Sequence, residues 1–144
     1  LMSSKARRRL AAKGRQTTGQ FLMIPKFVLE HPAFKTLSPR ATKLYLDIGA
    51  QYRGHNNGDL SATLKMMSDR GWNSSDQLNK AKRELEQRGL ILLTRQGGRN
   101  CCNLYALTCF PINECNGKID IEPTQLAPNN FKKWSASKCG VKAA

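Results

Sequence analysis

Apolar positions along the chain recur at helical spacing in its first half and alternate around a glycine pair further on. The first helix begins at Ser38 as N-cap with Pro39 at the first helical position, and Gly54 ends it. Its apolar residues follow the i, i+3, i+4, i+7 spacing, at Ala41, Leu44, Tyr45, Ile48 and Tyr52.

A second helix is predicted in the stretch LSATLKMMSDRG. Ser61 is its expected N-cap, and Leu64 and Met67 are its expected core residues. Gly71 stops this helix and supplies a tight turn to the next one. Two short helices joined in this way form a helix-turn-helix candidate.

A third helix is predicted over residues 74–88. Ser74 followed three residues later by Gln77 is a capping-box pattern, and Gly89 supplies the stop. The inner stripe of this helix consists of three apolar residues at helical spacing, Leu78, Ala81 and Leu85.

Two β-prone runs, 90–96 and 103–108, follow this helix. The pair Gly97–Gly98 between them is a hairpin signal, with Arg95 and Arg99 flanking the expected tip. Three helices followed by a hairpin is the order of a winged helix. Residues 21–121 are therefore expected to form a winged helix-turn-helix domain, mainly α with a small β-hairpin.

The net charge of the chain indicates what kind of partner it binds. The chain has 24 Lys and Arg residues against 10 Asp and Glu, a formal net charge of +14, which favours a polyanion as partner. Residues 1–20 hold six basic residues and no acid and are expected to form a disordered basic arm. Residues 122–144 are expected to be a loose basic tail, in which Phe131 and Trp134 could dock back on the body.

Other functional classes find little support. No apolar run approaches the roughly 18 residues of a membrane-spanning helix, and no phosphate-binding glycine loop is present. Neither a catalytic activity nor a cofactor or small-molecule ligand is expected. The five cysteines form no C-x-x-C pair and predict free thiols in a reducing compartment. A zinc site built from Cys109, Cys115 and a distant His stays open as an alternative to the expected absence of metal.

The third helix carries a polar face opposite its inner stripe, which 100° steps place at Asp76, Asn79, Lys80, Arg83 and Gln87. Such side chains suit base edges and phosphates, and the start of a second helix-turn-helix helix enters the major groove. Base contacts are expected from Gln77, Asn79, Lys80 and Arg83, and a phosphate contact from Ser75. The full set expected to bind DNA is Asn73, Ser74, Ser75, Gln77, Asn79, Lys80 and Arg83. The alternative is a solvated face with the pairs Lys80–Glu84 and Arg83–Gln87.

Further contacts are expected outside this helix. Arg95 and Arg99 would meet the DNA backbone or a minor groove, although a hairpin tip is often simply polar. Lys65 and Arg70 are expected backbone contacts, and Trp72 is expected to pack in the turn. In the arm, phosphates would be neutralised by Arg7, Arg8 and Arg9.

Several stretches together carry a resemblance: FLMIPKFVLEHPAFKTLSPRATKLYLDI, NNGDLSATLKMMSDRGW, QLNKAKRELEQRGLILLTRQGG and LYALT. They resemble the small winged helix-turn-helix proteins of proteobacterial prophages and mobile elements and, more loosely, the N-terminal domain of phage replication initiators. The similarity covers residues 21–111. It implies binding to double-stranded DNA, without catalysis, through the third helix and the wing.

The expected function is that of a DNA-binding protein of a mobile element such as a plasmid or prophage, in transcription regulation, DNA replication or partition. It would act in the cytoplasm on the nucleoid, and a homodimer on a palindromic site is a further expectation. Two alternatives remain: a protein-interaction module that binds a host factor, and an RNA-binding protein that uses its Arg-rich arm.

Overall fold

The structure is a computed structural model that describes residues 19–136, so the predicted contacts of Arg7, Arg8 and Arg9 lie outside the described residues. The described part is a small mixed α/β fold with five helices and a two-stranded antiparallel hairpin. The helices are α1 (Lys26–Leu29), α2 (Pro32–Lys35), α3 (Pro39–Gly49), α4 (Leu64–Ser68) and α5 (Ser75–Gln87). The strands are β1 (Ile91–Arg95) and β2 (Leu104–Leu107), and 3-10 turns lie at Cys115–Gly117 and Asn130–Lys133.

Helix α3 begins where the sequence predicts. The Ser38 hydroxyl accepts a hydrogen bond from the Ala41 N–H at 3.3 Å, which confirms the N-cap. The predicted inner face is buried at Ala41, Leu44, Tyr45 and Ile48. The helix ends at Gly49 rather than near Gly54, and Tyr52 lies beyond it, stacked on Phe110 with ring centroids 4.7 Å apart.

Helix α4 is shorter than predicted and differs at its start. Its N-cap is Thr63, which accepts from the Met66 N–H at 3.3 Å. The predicted cap, Ser61, is buried and held by Gln51, whose side chain bonds both the N–H and the carbonyl of Ser61. The predictions for Ser61 and for Leu64 as a core residue are therefore wrong. In a five-residue helix a single position, Met67, faces the core, and Leu64 remains 37% exposed.

Helix α5 follows the prediction closely. The Ser74 hydroxyl accepts from the Gln77 N–H at 3.3 Å, which confirms the N-cap. The Gln77 side chain accepts instead from Arg40 of α3, at 2.6 Å. The predicted inner stripe is fully buried against α3 at Leu78, Ala81 and Leu85.

The end of α5 is a site of close approach. Gly89 has φ +72°, and a Cβ there would lie 2.7 Å from the carbonyl carbon of Asn130. A glycine is required at this point both for the left-handed turn and for the passing C-terminal segment.

The hairpin has a different turn from the predicted one. Strand β1 pairs with β2 from Ile91 opposite Leu107 to Arg95 opposite Leu104. Gly97–Gly98 is not the tip: a bridge joins Gly98 to Cys101, and Arg99–Asn100 form the turn, with Asn100 at φ 64°. The glycine at position 97 is required by a close approach of the two sides of the hairpin and not by the turn. A Cβ there would lie 2.6 Å from the carbonyl oxygen of Cys101.

Two sets of hydrogen bonds join the hairpin to the loop between α3 and α4. Leu60 pairs with Tyr105 of β2 through hydrogen bonds of 2.7 and 3.2 Å between their backbones. The side chain of Asn57, fully buried, accepts from the Leu107 N–H at 2.8 Å and donates to the carbonyls of Leu107 and Pro111 at 2.9 Å. The loop before α4 and the hairpin are therefore one packed unit.

The segment after residue 121 is packed rather than loose, as far as Ala136. Phe131 is fully buried in the core, 6.0 Å from the ring of Phe27 and edge-on to His31 at 5.2 Å. Trp134 packs half-buried against the same core. The docking of Phe131 and Trp134 on the body, which the sequence left open, is confirmed. The tail is not loose around these two residues because α1 and α2 offer an apolar surface that Phe131 covers. Residues 137–144 lie outside the described residues.

A buried carboxylate fastens the turn before α5 to α3. Asp47 accepts hydrogen bonds from Lys43 Nζ at 2.6 Å, from Arg70 Nε at 2.8 Å and from the indole N–H of Trp72 at 2.8 Å. Burial raises the pKa of Asp47, but these three donors outweigh burial and leave its pKa below the ordinary value. The carboxylate therefore stays ionised and holds both ends of the connection together.

We expect Asp47→Asn to lower the free energy of unfolding by about 2 kcal/mol at neutral pH, because charge-assisted hydrogen bonds are lost. A group with a lowered folded-state pKa stabilises the fold above its unfolded pKa, and the contribution disappears as the pH falls through the folded-state value. Urea unfolding should therefore show a constant gap between wild type and variant near neutrality that narrows below about pH 4. A gap that stays constant into acid would contradict the role given to the Asp47 charge.

Candidate nucleic-acid interface

Helix α5 is anchored to α3 along one flank. The Glu84 carboxylate accepts from the backbone N–H of Ser38 at 2.9 Å and from its hydroxyl at 3.0 Å. Glu84 is thus engaged in joining the two helices and does not form the pair with Lys80 that the alternative of a solvated face includes. Lys80 pairs instead with Asp76, one turn earlier on α5, at 3.0 Å.

A second anchor lies at the C-terminal end of α5. Arg88 is buried, and its Nη1 donates to the carbonyl of Ala33 at 3.0 Å and to the hydroxyl of Thr36 at 2.6 Å. The guanidinium also stacks on Trp134, 4.5 Å from the centre of the indole. One arginine therefore connects α5 to α2 and to the C-terminal segment.

With its inner side held in this way, α5 presents a polar outer face. The seven residues that the sequence assigned to DNA contact are all exposed: Asn73, Ser74, Ser75, Gln77, Asn79, Lys80 and Arg83. Arg83 points directly away from the buried stripe, and its Nε donates to the Asn79 carbonyl at 3.4 Å. The pair of Arg83 with Gln87, which belongs to the alternative of a solvated face, is replaced by this bond to the backbone. The hydroxyl of Ser74 is used by the cap.

A groove of about 310 Å³ separates α5 from the hairpin. It is lined by Asn79, Lys82, Arg83 and Glu86 on the helix and by Asn103 and Tyr105 on the hairpin. Burial raises the pKa of Glu86, opposed by a hydrogen bond from Tyr105 and by the charge of Lys82. Burial lowers the pKa of Lys82, opposed by the charge of Glu86. Lys82 and Glu86 partly neutralise each other, and Arg83 leaves the groove with one positive charge in excess.

The two hairpin arginines have different surroundings. Arg99 is exposed at the tip, whereas Arg95 is half-buried and donates from Nη2 to the Cys102 carbonyl at 3.0 Å. Arg95 thus braces the hairpin from within, and Arg99 extends from it.

The two residues that the sequence predicts at the DNA backbone also differ in their surroundings. Lys65 is exposed on α4, while Arg70 uses its Nε to bind Asp47 and keeps 48% of its side chain exposed. Trp72 packs in the turn, as expected, with its ring buried and its N–H bonded to Asp47.

Sequence reasoning missed three residues beside this face: Arg40, Arg88 and Trp134. They come from α3, the end of α5 and the C-terminal segment and meet only in the folded protein, around a cleft of about 470 Å³. One signal was available. Arg40 lies in the first turn of α3, where the helix dipole disfavours a cation.

Within residues 19–136 no group of three or more His, Cys, Asp or Glu residues is placed to hold a metal ion. Cys109 lies 3.4 Å from the Tyr45 hydroxyl, and burial raises the pKa of the Cys109 thiol. The same part of the chain contains no helix long and apolar enough to cross a membrane.

Comparison with known proteins gives no relative from which a function could be carried over. No family model, no curated protein sequence and no solved structure matches this chain. The function must therefore be argued from the geometry and charge of the site.

Two arginines on the same helix provide a matched test of how α5 is held. We expect Arg88→Ala to lower the free energy of unfolding by about 3 kcal/mol, because buried hydrogen bonds and packing are lost. Arg83→Ala, on the exposed face, should change it by no more than about 0.5 kcal/mol. Thermal and urea unfolding of both variants measure the difference, and equal effects would contradict the anchoring role of Arg88.

Proposed function

We propose that this protein binds double-stranded DNA as a winged helix-turn-helix, with α5 as the recognition helix. The observation that carries the proposal is the outer face of α5. It exposes Asn79, Lys80 and Arg83 side by side, while its inner face, Glu84 and Arg88 hold the helix to the body. A rigid helix with exposed amide and basic side chains suits the major groove.

The order of elements supports this fold. Helix α3 is followed by Leu60, which pairs with β2 as a short third strand would, and then by α4, α5 and the hairpin. The turn between α4 and α5 contains Gly71 at φ +93° and is closed by Trp72 and Asp47. This succession supports the proposed helix-turn-helix with a following wing.

The proposed contacts follow from where each side chain lies. Arg83, with Asn79 and Lys80 beside it, would meet base edges, since arginine and lysine suit guanine and asparagine suits adenine. Arg99 at the tip of the hairpin and Lys65 on α4 would meet phosphates or a minor groove. The basic residues of the first twenty positions would add charge neutralisation without sequence preference.

The biological setting follows the resemblance. We propose a DNA-binding protein of a mobile element, acting on the nucleoid in transcription regulation, replication or partition. A homodimer would bind a palindromic site, because paired helix-turn-helix units bind two half-sites about one helical turn apart.

A selection of bound sequences from a random duplex pool tests the proposal, followed by binding to the selected site and to an unrelated duplex. We expect the double variant Lys80→Ala, Arg83→Ala to lose about thirtyfold in preference for the selected site, the equivalent of roughly 2 kcal/mol. Arg99→Ala should instead weaken both duplexes to a similar extent and lower the slope of log affinity against log salt by about one.

The exposed residues Arg53 and Lys118 provide the matched control, because Arg53→Ala, Lys118→Ala removes the same charge away from α5. It should retain the preference for the selected site. Wild-type binding to duplex with a flat salt dependence would contradict the proposal. Tighter binding to single-stranded RNA than to duplex would favour the RNA alternative, and the absence of nucleic-acid binding would favour a protein partner.

A further inference from the structure

A cleft of about 470 Å³ runs along the flank of α5 that faces α3, and Arg83 lies between this cleft and the hairpin groove. Its walls come from three parts of the chain: Arg40 at the start of α3, Lys80 and Arg83 on α5, and Trp134 in the C-terminal segment. Arg88 lies at its end, between α5 and the indole of Trp134. The cleft therefore opens beside the face that we propose to enter the major groove.

The electrostatics of the cleft favour an anion. Four cationic side chains line it, and the one acidic residue among them, Glu84, has its carboxylate bonded to the N–H and hydroxyl of Ser38. Lys80 also forms an ion pair with Asp76 on the outer face at 3.0 Å. This pair reduces the net positive charge of the cleft but does not cancel it. Arg40 adds its charge at the positive end of α3, where the helix dipole repels a cation unless an anion lies nearby.

Arg40 also has an unused donor. Its Nη1 donates to the side-chain amide oxygen of Gln77 at 2.6 Å, but its Nε is buried and has no hydrogen-bond partner within the described residues. A buried donor without a partner costs roughly 1–3 kcal/mol and calls for an explanation. Because this Nε is not exposed, a ligand oxygen would meet it only after the Arg40 side chain turns into the cleft, and a phosphate offers such oxygens together with a complementary charge.

Trp134 gives the cleft a defined shape. Its indole covers one face of the Arg88 guanidinium at 4.5 Å, while Arg88 Nη1 is held by Ala33 and Thr36. Because Phe131, three residues earlier, is fully buried, the position of Trp134 is set by the core. The cleft is thus built from ordered residues and not from long surface side chains alone.

We propose that this cleft binds a phosphodiester group of the nucleic-acid backbone, with Arg40 as the main ligand and the C-terminal segment as its outer wall. The inference rests on the proposed function, since the phosphate belongs to the strand that borders α5 on the α3 side. It assigns nucleic-acid contact to a segment beyond the helix-turn-helix and hairpin. It also gives Arg40 a role in affinity but none in the choice of sequence.

Arg40→Gln tests this, with Arg53→Gln as the matched control, because Arg53 lies past the other end of α3, an 11-residue helix about 16 Å long. The probe is a 20-base-pair duplex of random sequence, titrated at several salt concentrations. We expect Arg40→Gln to lower the slope of log affinity against log salt by about 0.9 and to weaken binding roughly eightfold at 0.1 M salt. Arg53→Gln should leave both values unchanged, and thermal unfolding verifies that each variant is folded.

A second measurement does not depend on affinity. The Nε–H resonance of Arg40, identified in the wild type by its loss in Arg40→Gln, should shift when the duplex is added. If free inorganic phosphate at the same phosphate concentration shifts it equally, the cleft is a general phosphate site and the backbone assignment is overturned. An unchanged salt slope and resonance, with α5 variants still losing binding, would overturn the cleft and leave the proposed function standing. Failure of the wild type to bind duplex would overturn both.

Discussion

The position of the outer face of α5 depends on the carboxylate of Asp47. This carboxylate gathers Lys43, Arg70 and the indole of Trp72 at distances of 2.6–2.8 Å and so fixes the turn that leads into α5. A buried ionised group is tolerated only when its partners are complete. Movement of this turn would leave the buried Asp47 carboxylate without its hydrogen-bond donors. The start of α5 is therefore held in one position relative to α3.

The other end of α5 is held by a different kind of contact. Arg88 reaches α2 with two hydrogen bonds and is covered by Trp134, while Gly89 lets the C-terminal segment pass at van der Waals distance. Between these two anchors, the apolar stripe and Glu84 bind the helix to α3. Asn79, Lys80 and Arg83 on the outer face take no part in these anchors and remain exposed. Side chains presented in this way by a rigid helix suit the binding that we propose.

Local signals predicted much of this fold. The caps at Ser38 and Ser74 and the buried stripe of α5 were predicted because each depends on residues within one or two helical turns. The predictions for Ser61 and for the hairpin turn were wrong because contacts outside helical spacing decided them. The Gln51 side chain bonds Ser61, and the backbone at Cys101 leaves no room for a side chain at Gly97. The prediction for Leu64 was wrong because α4 has only five residues. The C-terminal segment has the composition of a linker, and only the packing of Phe131 and Trp134, which the sequence left open, shows that it docks on the core.

The sequence by itself determined the helix boundaries set by caps and prolines, the apolar stripe of α5 and hence its polar outer face, and the excess of positive charge. These follow from periodicity and composition, which need no knowledge of distant residues. Only the tertiary structure decided that Arg88 is buried, that Glu84 is bonded to Ser38, and that Arg40 and Trp134 border one cleft. These contacts depend on which surfaces pack together in the folded protein, and the pattern of charge and hydropathy along the chain does not specify that packing.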